Sequence, residues 1–199
     1  MATLIIASIS DRSGKTAIAA ALASKLSSDD SPVAVGKALG NNSTSDNDAA
    51  VFASLLPDNP AVSGATADIA SAISANAGSS KIAIVEGSSN AQSNVDMANS
   101  TDGLVLLIAR FGEDIAGAAK AYGSRLAGVI INGVPKYRAG EVSGALAHEM
   151  EAAGTKLLGA IPDDRRMLAP KLGQVAEFLG GQFLTGEDES DRLLDNFLI

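Results

Sequence analysis

Ser8-Ile-Ser-Asp-Arg-Ser-Gly-Lys-Thr16 is the stretch from which the rest of the chain is read. It follows the apolar run Thr3–Ser8, a short strand candidate. It opens Lys15–Ser27, where Ile18, Leu22 and Leu26 recur at helical spacing. A Gly-Lys-Thr triplet alone is common by chance, but between a strand and a helix it has the context of a phosphate-binding loop. Such a turn points successive backbone N–H groups inward, and the helix N-terminus adds partial positive charge. Gly14 lets the backbone approach phosphate, Lys15 reaches the β- and γ-phosphates, and the Thr16 hydroxyl suits Mg²⁺. Asp11, Arg12 and Ser13 complete the candidate nucleotide-binding loop. The loop is atypical: Ser8 or Ile9 stands where a first glycine is usual, and position 10 is serine, so the leading lysine of the partitioning ATPases is missing. Asp11 must point outward or pair with Arg12 if it is not to repel phosphate.

Outward from this stretch, apolar strand candidates alternate with Ala-rich helical segments. Strands are expected at Pro32–Lys37, Lys81–Val85, Gly103–Ala109, Ala127–Ile131 and Lys156–Ile161. Helices are expected at Asp48–Leu56, Thr66–Ala77, Glu113–Tyr122, Ala139–Ala153 and Pro170–Leu179. Strands apolar on both faces and separated by helices predict a doubly wound, mostly parallel α/β sheet of about six strands with helices on both faces. Asn41–Asp48 and Gly87–Asn94 read as polar loops at the carboxyl edge, where such sheets bind ligands. Residues 1–186 form the expected nucleotide-binding domain and 187–199 a tail. There, Leu193, Leu194, Phe197 and Leu198 predict an apolar stripe on a short helix, either docked or leading to a further domain.

Composition narrows the function. Among 199 residues, hydrophobic side chains make up 46% and aromatics 4%, so the core is built of Ala, Ile, Leu and Val. The net charge of −8 disfavours general binding to nucleic acid or anionic membrane. The lack of cysteine excludes disulfides, thiolate nucleophiles and Cys-ligated metals. A lone histidine, His148, argues against a multi-His metal site or a Ser–His triad. With no signal-peptide core and no apolar run of ~18–20 residues, the expected location is the cytoplasm.

Further polar residues follow strands. Lys37 is either a cation beside the γ-phosphate, and with Lys15 a candidate catalytic lysine, or a solvated strand end. Glu86, after four apolar residues, is a candidate Mg²⁺ carboxylate, and Asp48 is either a second one or a helix N-cap. Asn132 either pairs with an adenine edge or makes a turn before Gly133.

Lys15-Thr16, Lys37, Asp48-Ala49, Glu86-Gly87, Asn132 and Gly159-Ala-Ile-Pro162 occur in the order seen in dethiobiotin synthetase-like P-loop proteins, which the chain resembles. Asp11-Arg-Ser-Gly-Lys-Thr16, Leu157-Leu-Gly-Ala-Ile-Pro-Asp-Asp-Arg-Arg-Met-Leu-Ala-Pro170 and Asp191-Arg-Leu-Leu-Asp-Asn196 are similar to a subgroup. That subgroup is the N-terminal domain of phosphotransacetylase-like and DRTGG-domain proteins. The resemblance implies ATP on Gly14, Lys15 and Thr16. It implies Mg²⁺ among Thr16, Asp48 and Glu86, Lys37 near the γ-phosphate, and adenine held by Asn132 and the backbone around Pro162. It also implies a homodimer and a regulatory domain beyond this segment. Two departures, Ala38 after Lys37 and Ser88-Ser89-Asn90 after Gly87, put the organic-substrate half of a synthetase in doubt. Three functions stay open: a nucleotide-binding regulatory domain with slow or no turnover, an ATP-dependent ligase activating a carboxylate or carbamate, and an interaction module with a degenerate P-loop.

Overall fold

The computed structural model describes residues 1–28, 31–39, 51–54, 61–65, 68–76, 78–164, 166 and 169–194. Seven strands are β1 (Ala2–Ser8), β2 (Val33–Leu39), β3 (Ala61–Ala65), β4 (Ile82–Glu86), β5 (Leu104–Arg110), β6 (Leu126–Val134) and β7 (Leu157–Pro162). They form one parallel sheet in the order β3-β2-β4-β1-β5-β6-β7. The helices are α1 (Lys15–Leu26), α2 (residues 51–54), α3 (Ile69–Asn76), α4 (Ala91–Ser100), α5 (Ile115–Lys120), α6 (Ala139–Glu141), α7 (Ala147–Ala152) and α8 (Leu172–Phe178). A π-helical turn, Val142–Leu146, joins α6 to α7.

The two-sided apolarity of the strands follows from the pleat. On β1 and β5, Ile5, Ala7, Val105, Leu107 and Ala109 enter one core with Ile69, Ile73, Met97, Ile115 and Met150. The alternate residues Ile6, Leu106 and Ile108 enter the other, with Ile18, Ala19, Ala23 and Phe52. Helices therefore cover both faces, as the sequence pattern predicts.

Several details differ from the sequence expectation. There is a seventh strand: β3 pairs with β2 through Val35↔Ala61 to Leu39↔Ala65. Its sequence, Ala-Val-Ser-Gly-Ala, has little strand propensity, and pairing rather than composition makes it a strand. The polar stretch expected as a loop over Gly87–Asn94 turns into α4 from Ala91. β6 runs through Asn132 to Val134 instead of stopping before it.

The chain divides into two compact units, Met1–Ile161 and Pro162–Ile199. Within the second unit, Leu193 of the expected tail forms an antiparallel bridge with Lys171. Leu172 N donates to Arg192 O at 2.9 Å and Leu194 N to Pro170 O at 2.9 Å. Residues 192–194 are drawn into this pairing, so the expected helical stripe does not begin at Leu193. Phe197 and Leu198 lie outside the described residues. No described helix is long and apolar enough to cross a membrane.

Candidate functional site

Because β1 sits between β4 and β5, its carboxyl end opens where the strand order changes direction. The loop from Ser8 to Gly14 lies there. It is folded by its own short side chains: Ser8 Oγ donates to Ser10 O at 2.7 Å, and the buried Lys15 Nζ donates to Ser8 Oγ at 2.7 Å. Lys15 therefore points back across the loop rather than into solvent. Gly14, at φ 92°, is the N-cap of α1 and carries no capping side chain; the first turn has no acidic residue. Only glycine takes this conformation without strain. A side chain would also displace a neighbour, since a Cβ on Gly14 would lie 2.5 Å from Asn132 Nδ2.

Register brings the other charges to the loop. β2 and β4 pair with Lys37 directly beside Glu86, and β1 pairs Ile6 with Glu86. Glu86 is only 2% exposed. Its Oε1 accepts from Thr16 Oγ1 at 3.0 Å and from Lys37 Nζ at 2.6 Å. A carboxylate so buried is stable only with such partners. The donor set, a threonine hydroxyl and a carboxylate, is all oxygen and fits a hard divalent cation. Among the described residues no three His, Cys, Asp or Glu cluster into a metal cage. A P-loop Mg²⁺ does not need one, because phosphate and water supply most of its ligands.

Asn132 comes to the same loop from 119 residues away: its Nδ2 donates to Ser13 O at 2.8 Å, and its Oδ1 accepts from Gly133 N at 3.0 Å. Its amide thus braces the loop, a role that the sequence reading did not include. Ser13 is buried, and its Oγ has no hydrogen-bond partner among the described residues. Asp11 and Arg12 are exposed, with Arg12 at φ 55°. Pro162 is exposed at the end of β7 and opens the second unit. Asp48 lies outside the described residues.

Sequence reasoning missed the clamp on the loop after Glu86. Asn94, fully buried, accepts from Ser88 N at 3.1 Å and donates to Ser88 O at 2.9 Å. Its Nδ2 also donates to Tyr122 Oη at 3.5 Å. Burial pushes the Tyr122 hydroxyl above its ordinary range, and the Asn94 bond pulls the other way. A Cβ on Gly87 would lie 2.3 Å from Asn94 Oδ1, so Gly87 admits the clamp. The signal was Asn94, Met97 and Ala98, a buried i, i+3, i+4 stripe whose first member is polar.

Residues 4–174 match the family described as CobQ/CobB/MinD/ParA nucleotide binding domain, and the chain belongs to that family. Solved structures share the fold. A ParA family ATPase from Chlorobium tepidum is 16% identical, with TM-score 0.52 and coverage of 91% of this chain and 90% of that one. HypB from Helicobacter pylori, in complex with nickel, is 18% identical, with TM-score 0.51 and coverage of 92% and 90%. The MinC:MinD cell division protein complex of Aquifex aeolicus is 16% identical, with TM-score 0.54 and coverage of 84% of each chain. No curated protein sequence is significantly similar to the chain. The missing lysine at Ser10 thus coexists with a fold shared with a ParA family ATPase.

Proposed function

We propose that this member of the nucleotide-binding family binds Mg-ATP and uses it as a conformational signal, with slow or no hydrolysis. The chain's resemblance to the N-terminal domain of phosphotransacetylase-like proteins supports the reading. The observation that carries the reading is the start of α1. Gly14 offers backbone N–H groups with no side-chain cap, Lys15 lies beneath the loop, and Thr16 is tied to Glu86. In this reading the loop amides and Lys15 hold the phosphates. Donation to Glu86 holds the Thr16 hydroxyl and would leave its lone pairs available to a metal. Mg²⁺ would be held by Thr16, with Glu86 and Asp48 behind it, and would supply positive charge against the β- and γ-phosphates. Asn132 is the proposed adenine contact. The domain is proposed to act in the cytoplasm as a homodimer.

The loop after Glu86 favours a regulatory role over a ligase. Where a synthetase would receive its organic substrate, Ser88 is clamped by Asn94 and Asn90 caps α4. A second reading, an ATP-dependent ligase activating a carboxylate or carbamate, is supported by Lys37 at the site edge. Measuring ADP release with and without added carboxylates and diamines separates the two. The regulatory reading expects ATP binding with little ADP release in either case. ADP release that requires an added carboxylate or diamine would replace it with the ligase.

A further inference from the structure

The carboxylate at the end of β4 already has a cation. Lys37 Nζ lies 2.6 Å from Glu86 Oε1, the same oxygen that accepts from Thr16 Oγ1. The contact is built into the sheet, because the register of β2 on β4 sets Lys37 directly beside Glu86. It is also largely shielded, with 13% of the Lys37 side chain and 2% of the Glu86 side chain exposed. An ammonium has three donors and no lone pair, so it cannot ligate a metal; it can only stand in for one. A divalent ion drawing on Glu86 and an ammonium held on the same oxygen repel each other, and burial strengthens that repulsion.

We propose that Lys37 is a built-in counter-cation of the metal site. In the metal-free protein it neutralises Glu86 and, through Glu86, keeps the Thr16 hydroxyl in place. Mg²⁺ enters only when Lys37 leaves Oε1, and a nucleotide phosphate gives it another anion to pair with. The device makes metal uptake depend on nucleotide: free Mg²⁺ is refused and Mg-nucleotide is accepted. This rests on the reading of Thr16 and Glu86 as the metal's residues, and it deepens that reading by assigning Lys37 a role before any chemistry.

The test uses Mn²⁺ alone, without nucleotide, titrated into the full chain and followed by the electron paramagnetic resonance of free Mn²⁺. Lys37→Gln keeps a hydrogen-bond donor on Glu86 and removes the charge. Lys37→Met removes both, and circular dichroism reports whether each variant is folded. The expected result is that Lys37→Gln binds Mn²⁺ at least about tenfold more tightly than the parent. Adding Glu86→Gln should abolish that gain. Equal Mn²⁺ affinity in the parent and in folded Lys37→Gln would overturn the proposal, as would a gain that survives Glu86→Gln. Because no nucleotide is present, failure here is distinct from failure of the ATP reading, which shows as loss of ATP binding by the parent.

Discussion

Helices α1 and α4 leave the carboxyl edge of the sheet from neighbouring strands, yet they begin in opposite ways. At α4 the chain supplies its own acceptor: Asn90 Oδ1 accepts from Ser93 N at 3.0 Å. α5 does the same with Asp114, which accepts from Gly117 N at 3.0 Å. At α1 the cap position is Gly14 in the left-handed region, with no side chain to satisfy the first N–H groups. The first turn of any helix leaves such donors orphaned. Two of these helices satisfy part of the need internally, and the third presents it beside Lys15. Self-capping makes a helix start a structural joint; withholding the cap makes it a place for an anion.

The largest expected effect comes from giving α1 a side chain at its cap. Gly14→Ala forces a Cβ into the left-handed region and against the Asn132 amide. The strain and the broken brace together should cost about 2–4 kcal/mol of nucleotide binding. Calorimetric titration with Mg-ATP checks this, and unchanged affinity would mean that α1 starts no differently from α4. Glu86→Gln comes next: affinity for Mg-ATP should fall more than affinity for metal-free ATP. Equal losses would remove Glu86 from the metal. Asn132→Ala sharpens the comparison further. If Asn132 braces the loop, affinity for inorganic triphosphate and for ATP should fall together, by ~0.5–1.5 kcal/mol. A loss confined to ATP would assign the side chain to the base. The smallest effect on binding belongs to the self-capped helix: Asn90→Ala should lower thermal stability by about 1 kcal/mol and leave ATP affinity within a few-fold.

Contiguity in sequence decided which of these features were legible before the fold was known. The loop announced itself because glycine, lysine and threonine are contiguous and lie between an apolar run and a helical period. Strands β1, β4 and β5 were legible because burial on both faces leaves an unbroken apolar run. β3 was not, since Ser63 and Gly64 carry no strand signal and only pairing with β2 defines it. α4 was hidden because only Asn94, Met97 and Ala98 are buried and one of them is polar. Within the site, Lys37 and Glu86 were each recognisable as charges at strand ends. Their direct pairing was not, because it depends on the register between β2 and β4. Asn132 was legible as a polar residue closing an apolar strand, but its hold on Ser13, 119 residues earlier, was not, because it depends on how the end of β6 meets the loop after β1.

The uncapped start of α1, with Lys15 beneath it, is proposed to hold nucleotide phosphate. Calorimetric titration of Mg-ATP and Mg-GTP into the parent and into Lys15→Ala tests it most directly. Saturable binding of one nucleotide per chain is expected of the parent. Removing a charge-assisted contact should then weaken that binding by ~1.5–3 kcal/mol, at least tenfold, in a variant that remains folded. A parent that binds neither nucleotide at millimolar concentration, or a Lys15→Ala variant that binds like the parent, would contradict it.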